Sequence, residues 1–201
     1  MIKKIRRFPI TSNWLDRKGR EELMEAKENT KTDEEEEEEE SVVFEIPLGE
    51  AAGTFSLEKT VCSHGLFMMS PNQWDPLSRT FSRPLRLSLS DSHPHDSTAT
   101  TCSLSVSISH PPHLPRSLLV RVYGTPCLSP EHRESLVGQV VRMLRLSETD
   151  ERNAREFRKV AEAAAAEEEN YSCLRGFGGR VFRSPTLFED MVKCILLCNC
   201  Q

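Results

Sequence analysis

The feature that most restricts the fold is a strict two-residue alternation in the middle of the chain. From residue 102 to 109, residues are alternately apolar (or cysteine) and serine. Successive side chains of a β-strand point to opposite faces, so this segment would have one buried and one solvated face. A one-residue shift in register would expose the whole apolar set, which fixes the pairing. The alternation therefore predicts a strand of an antiparallel sheet.

Three other segments alternate in the same way and are predicted to be strands of the same sheet. They are Phe55–Val61, Leu85–Leu89 and Leu118–Tyr123. His64–Met69 is a candidate hairpin partner of the first of them. If the register is right, Leu104 and Val106 are buried while Ser103 and Ser105 face solvent.

Beyond Gly124 the apolar spacing becomes helical. Ser129 and Pro130 are suited to the N-cap and first position of a helix, which we expect to reach Leu146 and to pack on the apolar face of the sheet. A second helix is predicted to begin near Thr149. Strands followed by helices are typical of the α+β class.

The N-terminal region has too few apolar residues for a core. Asp33 and the run Glu34–Glu40 supply eight of the negative charges, so the net charge of −5 becomes −5 + 8 = +3 without them. The charge balance therefore neither indicates nor excludes a nucleic-acid partner. We interpret residues 1–50 as a disordered basic and acidic tail, with binding of a partner protein by the acidic run as the alternative. Residues 51–146 are predicted to form the sheet domain with its packing helix, and residues 147–201 the first helices of a second domain.

The seven cysteines include no Cys-x-x-Cys pair, which favours reduced thiols in an intracellular compartment. No apolar run approaches about 18 residues, so no membrane span is predicted. The basic segment Met1–Phe8 could be a nuclear signal or the start of a plastid or mitochondrial transit peptide. Acidic residues soon after it favour the nuclear interpretation.

No cofactor or metal site is predicted. Gly176–Gly179 lacks the spacing of a phosphate-binding loop and follows no predicted strand, so a turn is the preferred interpretation. Cys194, Cys198 and Cys200 are close together, and the first two lie one helical turn apart, as metal ligands can. No fourth ligand is near them, and cysteine is common as a small buried residue, which is the preferred interpretation. Histidines of the proline-rich loops are interpreted as surface residues; they are His93, His95, His110 and His113.

The last segment, Ser184–Gln201, is predicted to be a helix with Ser184 as its N-cap. Its apolar residues recur at helical spacing and form one face: Leu187, Met191, Val192, Ile195 and Leu196. No stop signal follows them. We therefore expect the chain to be the front part of a larger protein whose continuation covers this face.

Two stretches resemble a known family. The first comprises Phe55–Phe67, Trp74 and Leu85–Leu87. It resembles the opening sheet of the helix-hairpin-helix superfamily of DNA glycosylases, which includes the 8-oxoguanine and 3-methyladenine enzymes. The second, Gly179–Glu189 running into Ile195–Gln201, is similar to the family's entry into its helical domain, especially in plant members. Together the two stretches extend the resemblance over roughly residues 53–201.

The resemblance implies a sheet domain like the TATA-binding protein, followed by the start of the all-helical glycosylase domain. Its partner would be double-stranded DNA with a damaged base, flipped out between the two domains. Arg180, Arg183, Asn199 and Gln201 fall on positions expected to contact DNA. For Asn199, ending the helix is the alternative role.

The family's catalytic residues have no counterpart in this sequence. Its helix-hairpin-helix and catalytic Asp lie downstream of the matching region, so no catalytic residue is assigned and the status of the chain as an enzyme is left open. The alternative function is a non-enzymatic fragment that binds DNA or a protein.

Overall fold

The fold is α+β, with a five-stranded antiparallel sheet and four α-helices in the part of the chain that the structure describes. The computed structural model describes residues 40–88, 101–167 and 169–199, which belong to one unit that starts at Glu39. The strands are β1 (Ser41–Pro47), β2 (Gln73–Asp75), β3 (Thr80–Ser88), β4 (Thr101–Ser109) and β5 (Ser117–Tyr123). The α-helices are α1 (Leu57–Val61), α2 (Pro130–Leu144), α3 (Glu148–Glu167) and α4 (Leu187–Asn199). Short 3₁₀ helices span Gly49–Gly53, Gly65–Met68 and Glu169–Gly176.

The strand order is β1-β5-β4-β3-β2, and the predicted register of β4 is confirmed. Val106 is buried and Leu104 half-buried, whereas Ser103 and Ser105 are exposed. Val106 lies opposite Val122 of β5, so the apolar side chains of the two strands share one face. β2 to β5 form an antiparallel meander, and β1 adds to the outer edge of β5.

The predicted helix after Ser129 is also confirmed. The Ser129 hydroxyl accepts a hydrogen bond from the His132 N–H at 3.2 Å, and Pro130 occupies the first turn of α2. Fully buried side chains line the face of α2 toward the sheet: Leu136, Val140, Met143 and Leu144. α2 and the apolar face of the sheet therefore form the main core.

The predicted strand at Phe55–Val61 is wrong, because Leu57–Val61 is helix α1. The Ser56 hydroxyl accepts a hydrogen bond from the Lys59 N–H at 3.3 Å and caps this helix. The buried residues Leu57, Thr60 and Val61 follow helical spacing. A strand would place Lys59 on the same face as Leu57 and Val61, but Lys59 is exposed. The hairpin partner predicted at His64–Met69 is wrong too, because Gly65–Met68 forms a 3₁₀ helix.

The predicted N-terminal tail overlaps the sheet. Ser41–Pro47 falls within the predicted tail but forms β1, which pairs along its whole length with β5. Phe44 and Ile46 are buried on the core face, whereas Val43, Glu45 and Pro47 are exposed. The alternation is present in the sequence, but it directly follows the acidic run. Because the composition of the whole region is polar and charged, the sequence predicted a solvated tail there. Residues 1–39, 89–100, 168, 200 and 201 lie outside the described residues, and so do the predictions that fall on them.

Candidate nucleic-acid interface

The connection from Gly179 to α4 carries both predicted arginines, and its side chains alternate between core and surface. Arg180, Phe182 and Ser184 are buried, whereas Val181 and Arg183 are exposed. The segment belongs to no helix and to no strand of the sheet. It therefore sends one row of side chains into the protein and presents the other row to solvent.

Phe182 attaches this connection to the sheet domain. Its ring meets Phe81 of β3 edge-to-face, with ring centroids 5.1 Å apart. Its N–H donates to the Ser63 hydroxyl at 2.9 Å, and its carbonyl oxygen lies 2.9 Å from His64 Nε2. The next N–H, of Arg183, donates to the Met143 carbonyl at 3.0 Å. The backbone at Arg183 is therefore fixed while its side chain remains accessible.

The side chain of Arg180 lies on the buried row and is only 2% exposed. Its guanidinium donates to the Glu151 carboxylate and to the Arg145 carbonyl oxygen. It also lies over the Phe55 ring, 5.7 Å from the centroid. Arg180 therefore does not belong to the exposed row of this connection, which is the row that would face duplex DNA. Of the two arginines predicted to contact DNA, only Arg183 has a solvent-accessible side chain.

Helix α4 contacts the sheet domain through charged residues. Arg83, on the inward row of β3, is 4% exposed at its side chain and makes two hydrogen bonds to the Glu189 carboxylate, at 3.2 and 2.9 Å. Lys193 is 8% exposed and bridges Glu189 at 2.6 Å and the Ser184 hydroxyl at 3.1 Å. Every charge in this cluster has a partner, which a buried charge requires.

A second ion pair joins α4 to α2. Arg142 Nη2 donates to the Asp190 carboxylate at 2.7 Å, and the other oxygen of Asp190 accepts from the Ser184 N–H at 2.8 Å. The prediction that Ser184 is the N-cap of this helix is therefore wrong. The Thr186 hydroxyl accepts the Glu189 N–H at 3.2 Å, and α4 begins at Leu187.

The exposed surface of α4 is largely apolar. Six large apolar side chains are 50% to 76% exposed: Leu187, Phe188, Met191, Ile195, Leu196 and Leu197. We call these six residues the α4 apolar face. Lys193 is the residue of α4 that is buried. The helix is thus oriented with its charges inward and its apolar side chains outward.

Asn199 ends α4 and is exposed, and its amide donates to the Ile195 carbonyl oxygen at 3.0 Å. This bond fits the alternative role of ending the helix and leaves the carboxamide oxygen accessible for a second partner. α4 is about 20 Å long at 1.5 Å per residue, so Arg183 and Asn199 flank the α4 apolar face at its two ends. Gln201 lies outside the described residues.

The electrostatics of the α4 cluster depend on Glu189. Burial raises the pKa of Glu189, but hydrogen bonds from Arg83 and Lys193, together with their charges, outweigh it and hold the pKa below the usual range. The ionised carboxylate is therefore the form that keeps α4 in place.

Acidification should destabilise the attachment of α4. Because the pKa of Glu189 is lower in the folded chain than in the unfolded chain (about 4.3 for a free glutamate), its contribution is complete above that value. It is lost as the pH falls through the folded pKa. Unfolding by urea between pH 7 and pH 3 should show a smaller loss of stability in Glu189→Gln than in the wild type.

Glu134→Gln is the matched control, because Glu134 is an exposed carboxylate on α2. Its pH profile should follow that of the wild type. If Glu189→Gln and the wild type lose stability in parallel, Glu189 is not the group responsible.

Three buried charged residues were not predicted from the sequence. Arg83, Glu151 and Lys193 are buried charges, and nothing local distinguishes them from surface charges. One signal was available for Arg83, since it is in phase with the apolar residues Leu85 and Leu87 of the same strand. For Lys193 the apolar periodicity predicted the opposite, since it favoured burial of the apolar residues of α4 and exposure of its charged residues.

Within the described ranges, no cluster of three or more His, Cys, Asp or Glu side chains could hold a metal ion. No helix in those ranges is both long and apolar enough to cross a membrane. Comparisons with protein-family models, with curated proteins and with solved structures find no match to this chain.

Proposed function

We propose that this chain is the N-terminal portion of a base-excision-repair DNA glycosylase of the helix-hairpin-helix superfamily. On this proposal the five-stranded sheet corresponds to the TATA-binding-protein-like domain of such enzymes, and α3 and α4 begin their helical domain. The complete enzyme flips a damaged base out of duplex DNA and cleaves its glycosidic bond. The chain supplies part of the DNA-facing surface, and the most suitable compartment is the nucleus, with plastid or mitochondrion as alternatives.

The observation that carries the proposal is the arrangement of the Gly179–Asn199 stretch, which bears the stronger resemblance. Its buried row attaches it to the sheet domain, while Arg183 and Asn199 remain exposed at the two ends of α4. The α4 apolar face between them suits a first helix that packs against further helices of the same domain. A cleft of about 260 Å³ lies beside Arg183 and is also lined by His64 and Cys194.

The charges of α4 are engaged inside the protein, so they contribute little to a DNA contact. Glu189, Asp190 and Lys193 all have partners at the sheet or at α2. DNA affinity comes mainly from neutralised phosphates, and one accessible arginine supports only weak binding. We therefore expect the chain to bind duplex DNA weakly and the complete enzyme to bind it tightly.

The same surface also favours the alternative function, a non-enzymatic fragment that binds a protein. Six exposed apolar side chains on one helix are an unusual feature for a solvated surface. On this alternative the acidic run Asp33–Glu40 would be a second contact. The two functions differ in whether Arg183 and Asn199 affect DNA binding.

DNA binding should depend on Arg183 and Asn199 in different ways. Binding is measured by fluorescence anisotropy with an intact duplex and with one that carries an abasic-site analogue. Arg183→Ala should weaken both complexes about equally and reduce the salt slope by about 1, because a phosphate contact carries no sequence information. Asn199→Ala should weaken only the abasic complex, because the amide would contact the orphaned base.

Arg79→Ala is the control, since its side chain is 77% exposed and lies far along the chain from α4. It should bind both duplexes like the wild type. Equal losses in Arg79→Ala and Arg183→Ala, or no difference between the two duplexes for Asn199→Ala, would favour the protein-binding alternative. We expect no base release from oxidised or alkylated duplexes, and any release would reveal a catalytic carboxylate in this chain.

A further inference from the structure

A second cleft, separate from α4, is lined by cationic and hydroxyl groups. It lies between α1, α3 and the Gly176–Gly178 turn and has a volume of about 260 Å³. Its lining includes Lys59, Arg158 and Arg180, together with the hydroxyl-bearing residues Thr54 and Ser56. The glycine turn lacks the sequence of a phosphate-binding loop, yet the fold brings it to the wall of this cationic cleft.

The charged side chains that line the cleft are all cationic. Among the described residues that line the cleft there is no carboxylate. Glu151, which is 7% exposed at its side chain, contacts Arg180 with one oxygen and Arg158 with the other, at 3.2 Å for Arg158. Three cations and this one anion leave 3 − 1 = +2 at the cleft. A dianion would neutralise that excess.

Two guanidinium groups at the cleft retain unused hydrogen-bond donors. Arg180 Nε and Arg158 Nη1 are buried and have no hydrogen-bond partner among the described residues. The Arg180 side chain itself is 2% exposed, so solvent does not readily satisfy it. A buried charged donor without a partner is costly, and an anion in the adjoining cleft would relieve that cost after a small side-chain movement.

The size of the cleft limits the ligand to a small anion. Pockets for drug-sized ligands usually have about 300–1,000 Å³. A cleft just below that range accommodates a phosphate group with its waters more readily than a nucleotide. Arginine, lysine and hydroxyl donors that converge from three elements suit the several oxygens of a phosphate, which arginine binds with two parallel hydrogen bonds.

We propose that this cleft, formed by Lys59, Arg158, Arg180 and the Gly176–Gly178 turn, is a binding site for a phosphate group. The source is either free phosphate or a phosphomonoester such as the 5′-phosphate of a DNA strand. The site is independent of the DNA contacts assigned to Arg183 and Asn199, because it shares no residue with them.

The test uses the whole chain labelled with ¹⁵N at arginine, whose Nε–H signals report on the two guanidinium groups directly. Titration with inorganic phosphate should shift the Arg158 and Arg180 signals and leave that of Arg183 unchanged.

Gly178→Asp places a carboxylate in the cleft wall. No described atom lies within 4 Å of a Cβ added at Gly178, so the substitution fits without displacing neighbours. It should weaken phosphate binding about tenfold or more.

Gly178→Asn is the matched neutral comparison, because it adds a side chain of the same size without the charge, and it should bind phosphate more tightly than Gly178→Asp. Lys59→Gln should weaken binding by about threefold to tenfold, while Lys159→Gln, an exposed lysine of α3 paired with Glu156, should not. Equal binding by Gly178→Asp and Gly178→Asn, or unshifted Arg158 and Arg180 signals at about 10 mM phosphate, would overturn the proposal.

The source of the phosphate is distinguished by a short single-stranded oligonucleotide with and without a 5′-phosphate. Tighter binding of the phosphorylated strand than of inorganic phosphate supports a strand end as the ligand. Equal binding of the phosphorylated strand and inorganic phosphate supports the free anion. If the strand without the 5′-phosphate shifted the two arginine signals as strongly as the phosphorylated one, the site would not be a phosphomonoester site and the proposal would fail.

Discussion

Replacing Glu151 by alanine should lower the free energy of unfolding by about 3–5 kcal/mol, the cost of breaking a buried ion pair from one side. Glu151 is 5% exposed and holds two guanidinium groups, those of Arg158 and Arg180. Its removal leaves the Arg180 charge buried without a counterion. Urea unfolding followed by circular dichroism measures the difference. The addition of phosphate should recover part of it if the anion replaces the lost carboxylate.

Glu148→Ala is the control for this prediction. Glu148 lies in the same first turn of α3 but is exposed, so its loss should change stability by about 0.5 kcal/mol or less. Glu151→Gln keeps the shape and removes the charge, and it should fall between the two. A Glu151→Ala variant as stable as Glu148→Ala would mean that water reaches Arg180 and that the ion cluster is not a determinant of the fold.

The isolated chain should associate through the α4 apolar face, and the double variant Ile195→Lys/Leu196→Lys should be monomeric at the same concentration. These two side chains are 57% and 52% exposed. Each large apolar side chain left uncovered forgoes roughly 1.5–3 kcal/mol of burial, which favours association with any apolar surface. Sedimentation velocity over a range of concentrations distinguishes the two behaviours.

Lys193→Leu provides the opposite comparison on the same helix. It makes α4 more apolar but removes a buried charge that contacts Glu189 and Ser184, so it should destabilise the chain by about 1–3 kcal/mol without reducing association. Unfolding of the chain by Ile195→Lys/Leu196→Lys, together with an unchanged stability of Lys193→Leu, would mean that α4 packs on the protein through Ile195 and Leu196 and exposes Lys193.

The sequence predicted the parts of the fold in which one local pattern had one interpretation. The serine alternation of β4 and the capped apolar periodicity of α2 both led to the observed elements. Phe55–Val61 fitted two periods, and the competing helix formed because Ser56 caps it. β1 was missed because composition over a wide window obscured a short strand beside the acidic run.

The candidate site was less predictable, because its contacts join residues that are distant in sequence. Arg83 meets Glu189, and Glu151 meets Arg180, only after the sheet and helices have formed. A sequence pattern cannot show which of many charged residues will be buried in this way. The positions of Arg183 and Asn199 could be named from a resemblance, whereas the inward orientation of Lys193 required the fold.

Strand β1 is made early by the ribosome but pairs late, since its partner β5 ends at Tyr123. Synthesis proceeds at about 5–20 residues per second, so the strand is exposed for several seconds before β5 follows it. Its sequence, Ser-Val-Val-Phe-Glu-Ile-Pro, is rich in residues that favour intermolecular strand pairing. The acidic run that ends at Glu40 immediately precedes it, and like charges on neighbouring nascent chains repel each other. We therefore expect the run to reduce aggregation of the nascent chain until β5 is available to pair with β1.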